Sequence, residues 1–239
     1  MNPFSSSSEF YTGFAKTYEN YASLRTAYIT AVNKFVVDEI GSANTIIDVG
    51  SGDGMRATLL ARNLEAQHLT LVDNSDGMIG RLVEIKDVSV IKADISNYDE
   101  SEEKYDLVLC LWNVLGHIPE QKRKTALKNL ASLMNNSGVL ILDVNNRYNV
   151  PQYGIVSVIK NSLKDFFFPR KSNGDFELSI NTGSEMIRTV VHIFNPFEME
   201  KLIQSAGLKI VNKRVINYKD GSSSKSIFGG QLVYKLARQ

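Results

Sequence analysis

Thr45-Ile46-Ile47-Asp48-Val49-Gly50-Ser51-Gly52-Asp53-Gly54-Met55 is the stretch that decides the fold. A short β-branched strand runs straight into three alternating glycines, and a helical pattern takes over at Met55. Glycine permits a tight turn and a close approach of backbone N–H groups to a ligand. The helix that opens at the end of the loop favours anionic groups such as a carboxylate at its N-terminus. The spacing is not that of a dinucleotide fingerprint: G-x-G-x-x-G starting at Gly50 needs glycine at position 55, where Met55 stands, and the loop carries no phosphate-loop lysine.

Downstream, strands and helices alternate. Residues 68–73, 88–92 and 105–111 read as strands, 77–84 and 120–134 as helices, 135–138 as a turn and 139–144 as a fifth strand. Near-continuous apolar strands in a βαβα rhythm imply a parallel sheet covered by helices on both faces. The rhythm breaks at Asn145. A helix is expected around 155–164, then strands over 176–180 and 186–194 joined by Asn181-Thr182-Gly183-Ser184, a hairpin-turn composition. Asn195-Pro196 starts a helix over 197–206 that Gly207 stops. The final strands, 208–218 and 231–236, are joined so tightly through 221–226 that they must be antiparallel.

Upstream, residues 1–8 read as a loose tail and 9–39 as helical, with Tyr11, Phe14, Tyr18 and Tyr21 on one stripe. Core packing explains such a stripe, but its phenol hydroxyls also suit a lid over a polar ligand. The expected architecture is therefore an α/β, Rossmann-like doubly wound fold. It has a mostly parallel seven-stranded sheet with an antiparallel last strand. One domain spans 1–239, with an N-terminal helical lid (9–39) and an inserted cap (146–194).

Of the 239 residues 43% are hydrophobic and 22% charged, the balance of an ordinary globular protein, and the net charge of +1 argues against a chain built around a polyanion. The charge is uneven. Up to Val150 there are 14 Lys and Arg against 19 Asp and Glu, and from Pro151 onward 13 against 7. The single cysteine, Cys110, excludes a disulfide framework and lies in an apolar run as a buried hydrophobe. No histidine–carboxylate cluster has metal spacing, so no metal is expected. With no apolar run of membrane-spanning length and no leader-like N-terminus, the expected setting is cytoplasmic, without a membrane partner.

D-x-G-x-G-x-G after the first strand resembles motif I of the class I S-adenosylmethionine-dependent methyltransferases, and the rest of residues 40–145 fits the same pattern. The second strand ends in Asp73, about twenty residues after the loop, where an acid can accept hydrogen bonds from ribose hydroxyls. The resemblance implies S-adenosyl-L-methionine as cofactor. Asp48, Gly50, Ser51 and Gly52 would hold its methionine end, Asp94 its adenine amino group, and Ile95 and Met78 the two ring faces. Leu111, Trp112 and Asn113 then stand beside the transferable methyl, and Tyr18 and Asn74 join the cofactor side.

Methyl transfer from a sulfonium is an in-line displacement for which the protein supplies alignment and desolvation. An amine or hydroxyl acceptor also needs a base or an orienting partner. His117, just beyond the fourth strand, is the candidate, and a histidine that satisfies loop backbone is the plainer alternative. Acceptor contacts are expected from Tyr11, Asn113, His117, Asn145, Arg147, Tyr148 and His192. The leading expectation is an enzyme that methylates nitrogen or oxygen of a small molecule. The alternatives are an RNA methyltransferase, motivated by the basic C-terminal part although a nucleic-acid partner is disfavoured, and a non-catalytic cofactor-binding protein.

Overall fold

The computed structural model describes residues 4–82, 85, 87–98, 103–181 and 186–239. Ten strands are described: β1 (Thr45–Val49), β2 (His68–Asp73), β3 (Ser89–Lys92), β4 (Tyr105–Cys110), β5 (Met134–Val144), β6 (Asp175–Asn181), β7 (Met186–His192), β8 (Leu208–Ile216), β9 (Ser223–Ser224) and β10 (Gln231–Arg238). The α-helices are α1 (Ser7–Phe14), α2 (Tyr18–Ser23), α3 (Thr26–Ile40), α4 (Met55–Asn63), α5 (Asp76–Leu82), α6 (Glu120–Ser132), α7 (Val150–Tyr153), α8 (Ile155–Phe167) and α9 (Pro196–Ser205).

The main sheet has the order β3-β2-β1-β4-β5-β10-β8-β9, and β6 and β7 form a separate antiparallel hairpin. β1 pairs in parallel with β2 and β4, β4 with β5, and β10 lies antiparallel between β5 and β8. Seven strands are as the sequence implies, and the eighth is the two-residue edge β9, inside what reads as a serine-rich turn. Strand alternation splits the core in two. Ile47, Val108 and Leu142 face α6 and α9 on one side, and Ile46, Leu107 and Ile141 face α3 and α4 on the other. Both faces are dry, which is why these strands carry almost no alternation of polarity.

Two local expectations are corrected, and a third is refined. Residues 9–39 are helical but in separate pieces: the chain passes through a 3-10 turn at Ala15–Thr17 and breaks again between α2 and α3. The two halves serve different targets, since Phe10 and Phe14 pack with Ile187 of the hairpin while Tyr28, Val32 and Phe35 pack on the sheet. Residues 5–8 are no loose tail. Ser6 and Glu9 form a reciprocal capping box that starts α1, and the Ser5 N–H donates to the Arg188 carbonyl at 2.8 Å. Finally, Asn135–Gly138 does not precede the fifth strand but lies inside it. Asn135 accepts from the Ser137 N–H at 3.1 Å and donates to Asp106 at 2.6 Å, and a register shift opposite absorbs the kink. Glu84 and the turn residues 182–184 lie outside the described residues.

Candidate functional site

The glycine loop sits at the C-terminal edge of β1, where open α/β sheets bind ligands. Gly50 and Gly52 have φ of 76° and 59°. A Cβ on Gly50 would meet Val114 at 2.4 Å, and one on Gly52 would meet the Tyr18 hydroxyl at 2.7 Å. The Gly52 N–H donates to one oxygen of Asp73 at 3.1 Å and the Ser75 N–H to the other at 2.9 Å, so Asp73 ties the loop to the end of β2. Burial raises the Asp73 carboxyl above its ordinary range. Asp48, behind the loop, is pushed up to about 7 by burial, with Arg56 pulling the other way and Asp73 and Asp143 adding to the rise.

Beyond β4 the chain makes an uncommon move: Trp112 and Asn113 are consecutive left-handed residues, with φ of 63° and 62°. Such backbone costs about 1–3 kcal/mol per residue and persists where its surroundings impose it. Here Asp143 at the end of β5 accepts both N–H groups. The Asn113 side chain then accepts from the Asn145 N–H at 2.9 Å and donates to the His192 carbonyl at 3.3 Å, which joins the strand ends to the hairpin. Trp112 donates its indole N–H to the Tyr218 hydroxyl at 3.0 Å and stacks on Tyr21, with ring centroids 5.7 Å apart.

Over these strand ends lies a cavity of about 480 Å³, roofed by α1 and α2 and closed at the side by β6 and β7. That volume is in the range of small-ligand sites. Tyr11, Tyr18, Gly50, Gly52, Asp73, Asn74, Asp94, Ile95, Leu111, Trp112, Asn113, His117 and Asn145 all line it. The Tyr11 hydroxyl is 3.0 Å from His117 Nε2. Burial lowers the His117 pKa to about 4, so the ring is neutral at physiological pH. Its Nδ1 is buried with no hydrogen-bond partner among the described residues.

The other sequence-nominated residues are elsewhere. Asp48, Ser51 and Met78 are buried behind the lining, with Ser51 donating to the Val72 carbonyl at 3.2 Å. Arg147, Tyr148 and His192 belong to a separate buried polar cluster. Arg147 pairs with Asp165 and Glu198, both at 2.8 Å, and the Tyr148 hydroxyl donates to Asp165 at 2.9 Å. His192 bridges Asp175 at 2.6 Å and Glu198 at 2.9 Å. The cavity also recruits residues that sequence reading missed: Arg25, Tyr153, Tyr218, Gln231 and the hairpin side chains Leu178, Ile180, Val191 and Ile193. The inward alternation of the hairpin was a usable signal for the last four, whereas nothing local marks Arg25 or Gln231. Among the described residues no group of three or more His, Cys, Asp or Glu is placed to hold a metal ion.

Residues 46–138 match the model of a family described as a methyltransferase domain. The chain is 26% identical over 136 residues to glycine N-methyltransferase of Homo sapiens, covering 48% of this chain and 45% of that protein. It is 27% identical over 112 residues to a probable (S)-tetrahydroprotoberberine N-methyltransferase 2 of Papaver bracteatum, covering 44% and 30%. The chain thus spans less than half the length of these curated relatives. A solved S-adenosylmethionine-dependent methyltransferase of Thermotoga maritima, described as a possible histamine N-methyltransferase, superposes with a TM-score of 0.65 at 16% identity, covering 97% of this chain and 99% of that one. The glycine loop falls inside the segment that matches the methyltransferase-domain family, and the fold of the chain is that of the solved methyltransferase.

Proposed function

We propose that the cavity holds S-adenosylmethionine and that the protein transfers its methyl group to a small-molecule acceptor, with nitrogen favoured over oxygen. The observation that carries this reading is the cavity that gathers the glycine loop, Asp73, Asp94 and His117 beneath α1 and α2. The residues fit the cofactor. At Gly50 and Gly52 a Cβ would strike Val114 and Tyr18, so the loop keeps bare backbone toward the amino-acid end, and Asp48 behind it is a carboxyl that a nearby ammonium would draw toward its ionised form. Asp73 accepts ribose hydroxyls, and Asp94 and Ile95 face an adenine edge and ring. The cofactor, when bound, supplies an electrophilic methyl. The chain's own residues exclude water beneath α1 and α2 and orient the acceptor between His117 and the Trp112-Asn113 turn. Both curated relatives are named as N-methyltransferases, which supports nitrogen. The side closure by the hairpin favours a compact acceptor over a polymer.

The deciding experiment is calorimetry with S-adenosylhomocysteine, followed by a panel of small amines and phenols assayed with methyl-labelled cofactor. Binding and label transfer to at least one amine are expected. Absence of binding at saturating concentrations would overturn the reading. Gly52→Ala is expected to displace Tyr18 and weaken S-adenosylhomocysteine binding at least tenfold; an unchanged Kd would sever the loop from the ligand. His117→Ala is expected to lower kcat at least tenfold while leaving cofactor affinity in place, within the usual range for a lost acid–base group. Because burial depresses the His117 pKa, its neutral form survives far into acid. Its loss of function should therefore begin only as pH falls toward 4. A kcat limb near 6.5 that disappears in His117→Ala would contradict this.

A further inference from the structure

α8 is mounted inside out. Its inward positions are Val158, Asn161, Ser162 and Asp165, one i, i+3, i+4, i+7 stripe, and only Val158 among them is apolar. Two of the polar members, Asn161 and Asp165, hold the helix to the body. Asn161 donates to the Arg147 carbonyl at 3.3 Å, Ser162 lies half-buried on the same side, and Asp165 accepts from Arg147, Tyr148, Asn173 and Asn195. The outward side carries Ile155, Val156, Ile159, Leu163, Phe166 and Phe167, each between 51% and 79% exposed, and Phe168 follows at 69%. At 3.6 residues per turn these six fall within an arc of about 120°. Globular proteins place such a stripe against their core. Here a half-turn of the helix that buried it would strand Arg147 and Asp165, so the polar lock holds the apolar face outward.

The charge beside this face selects the occupant. Lys160 and Lys164 lie along one flank of the arc, and Arg170 and Lys171 follow the three phenylalanines; Lys171 makes an exposed bridge to Glu120 at 2.6 Å. The acid on the helix, Asp165, is already neutralised by Arg147 on the inner side. An apolar face tipped with phenylalanine and flanked by lysines is the pattern of a helix lying in the plane of a membrane interface. It is a poor self-docking surface, because a two-fold contact along it would bring the lysines of both copies together. No helix among the described residues is long and apolar enough to cross a membrane, and an in-plane helix needs no such length.

We propose that α8 and the Phe166-Phe167-Phe168 tip dock the protein on the surface of an anionic lipid bilayer. This is independent of what the cavity binds. Apolar burial and charge attraction act together, so removing either weakens docking.

The test is co-sedimentation of the full chain with vesicles of phosphatidylcholine alone and of equal parts phosphatidylcholine and phosphatidylglycerol. Binding to the anionic vesicles at least tenfold tighter than to the neutral ones is expected. Phe166→Ser with Phe167→Ser, and separately Lys160→Glu with Lys164→Glu, should each reduce it at least tenfold. Both pairs are exposed, so the thermal midpoint should stay within about 2 °C of the parent. Anionic-vesicle binding that persists in the phenylalanine pair overturns the proposal. So does failure of the full chain to bind anionic vesicles, and if sedimentation velocity then shows a dimer that the phenylalanine substitutions dissolve, the face belongs to a second copy of the chain.

Discussion

Asp73→Ala is expected to weaken S-adenosylmethionine binding at least tenfold and toward about a hundredfold, read by calorimetry. An ionised acceptor contributes about 1.5–3 kcal/mol per hydrogen bond, and about 1.4 kcal/mol is a factor of ten. The substitution removes the proposed acceptor for the ribose hydroxyls. It also removes the acceptor that now holds the Gly52 and Ser75 N–H groups, so the loop loses an anchor as well. Asp73→Asn separates the two effects, because an amide oxygen can still take one N–H while the charge is gone; an intermediate loss is expected. Since burial already raises the Asp73 pKa, acid should protonate the carboxyl earlier than an exposed one, and affinity should fall with pH on the acid side. An Asp73→Ala protein that binds as the parent does would end the ribose assignment.

Arg147→Ala is the second large effect, on stability rather than binding. The guanidinium is almost fully buried and serves Asp165, Glu198 and the Ile193 carbonyl. Its removal takes the shared guanidinium from two carboxylates, and breaking a buried pair in this way costs about 3–5 kcal/mol. For a domain of this size that corresponds to a fall in Tm on the order of 10 °C. The sequence places Arg147 among the acceptor contacts, and the two roles part cleanly in measurement. A structural Arg147 gives a large Tm loss with cofactor affinity retained at low temperature. An unchanged Tm with a selective loss of acceptor turnover would return it to the site.

What was legible in the chain, and what was not, follows from range. The strands β1, β2 and β4 announce themselves because both their faces are dry, and the glycine loop because its backbone excludes side chains. Asp73 and His117 were nominated because they stand at or beyond strand ends, positions that open sheets give to ligands, and Asp94 because of the resemblance; all three line the cavity. Arg147, Tyr148 and His192 look identical to such residues in sequence: polar groups at strand ends near the same edge. What diverts them is a set of acids, Asp165, Asp175 and Glu198, that only tertiary structure brings alongside. The same blindness hid the capping of α1, since a run of serines reads as loose chain until Glu9 turns back on Ser6. β5 was cut short for the converse reason: Asn-Asn-Ser-Gly has turn chemistry, and the strand simply contains the turn.

The fastening of α1 bears on the order in which the molecule can assemble. Ser5 bonds to Arg188, Ser8 to Asn74 and Tyr11 to His117, so a segment that precedes all of these partners in the chain has them spread as far along it as Arg188. Contacts so distant in sequence are slow to close. The ceiling of the chamber is therefore made before the residues it rests on and is seated late, and a nascent chain halted before the hairpin lacks the contact that ties Ser5 to Arg188.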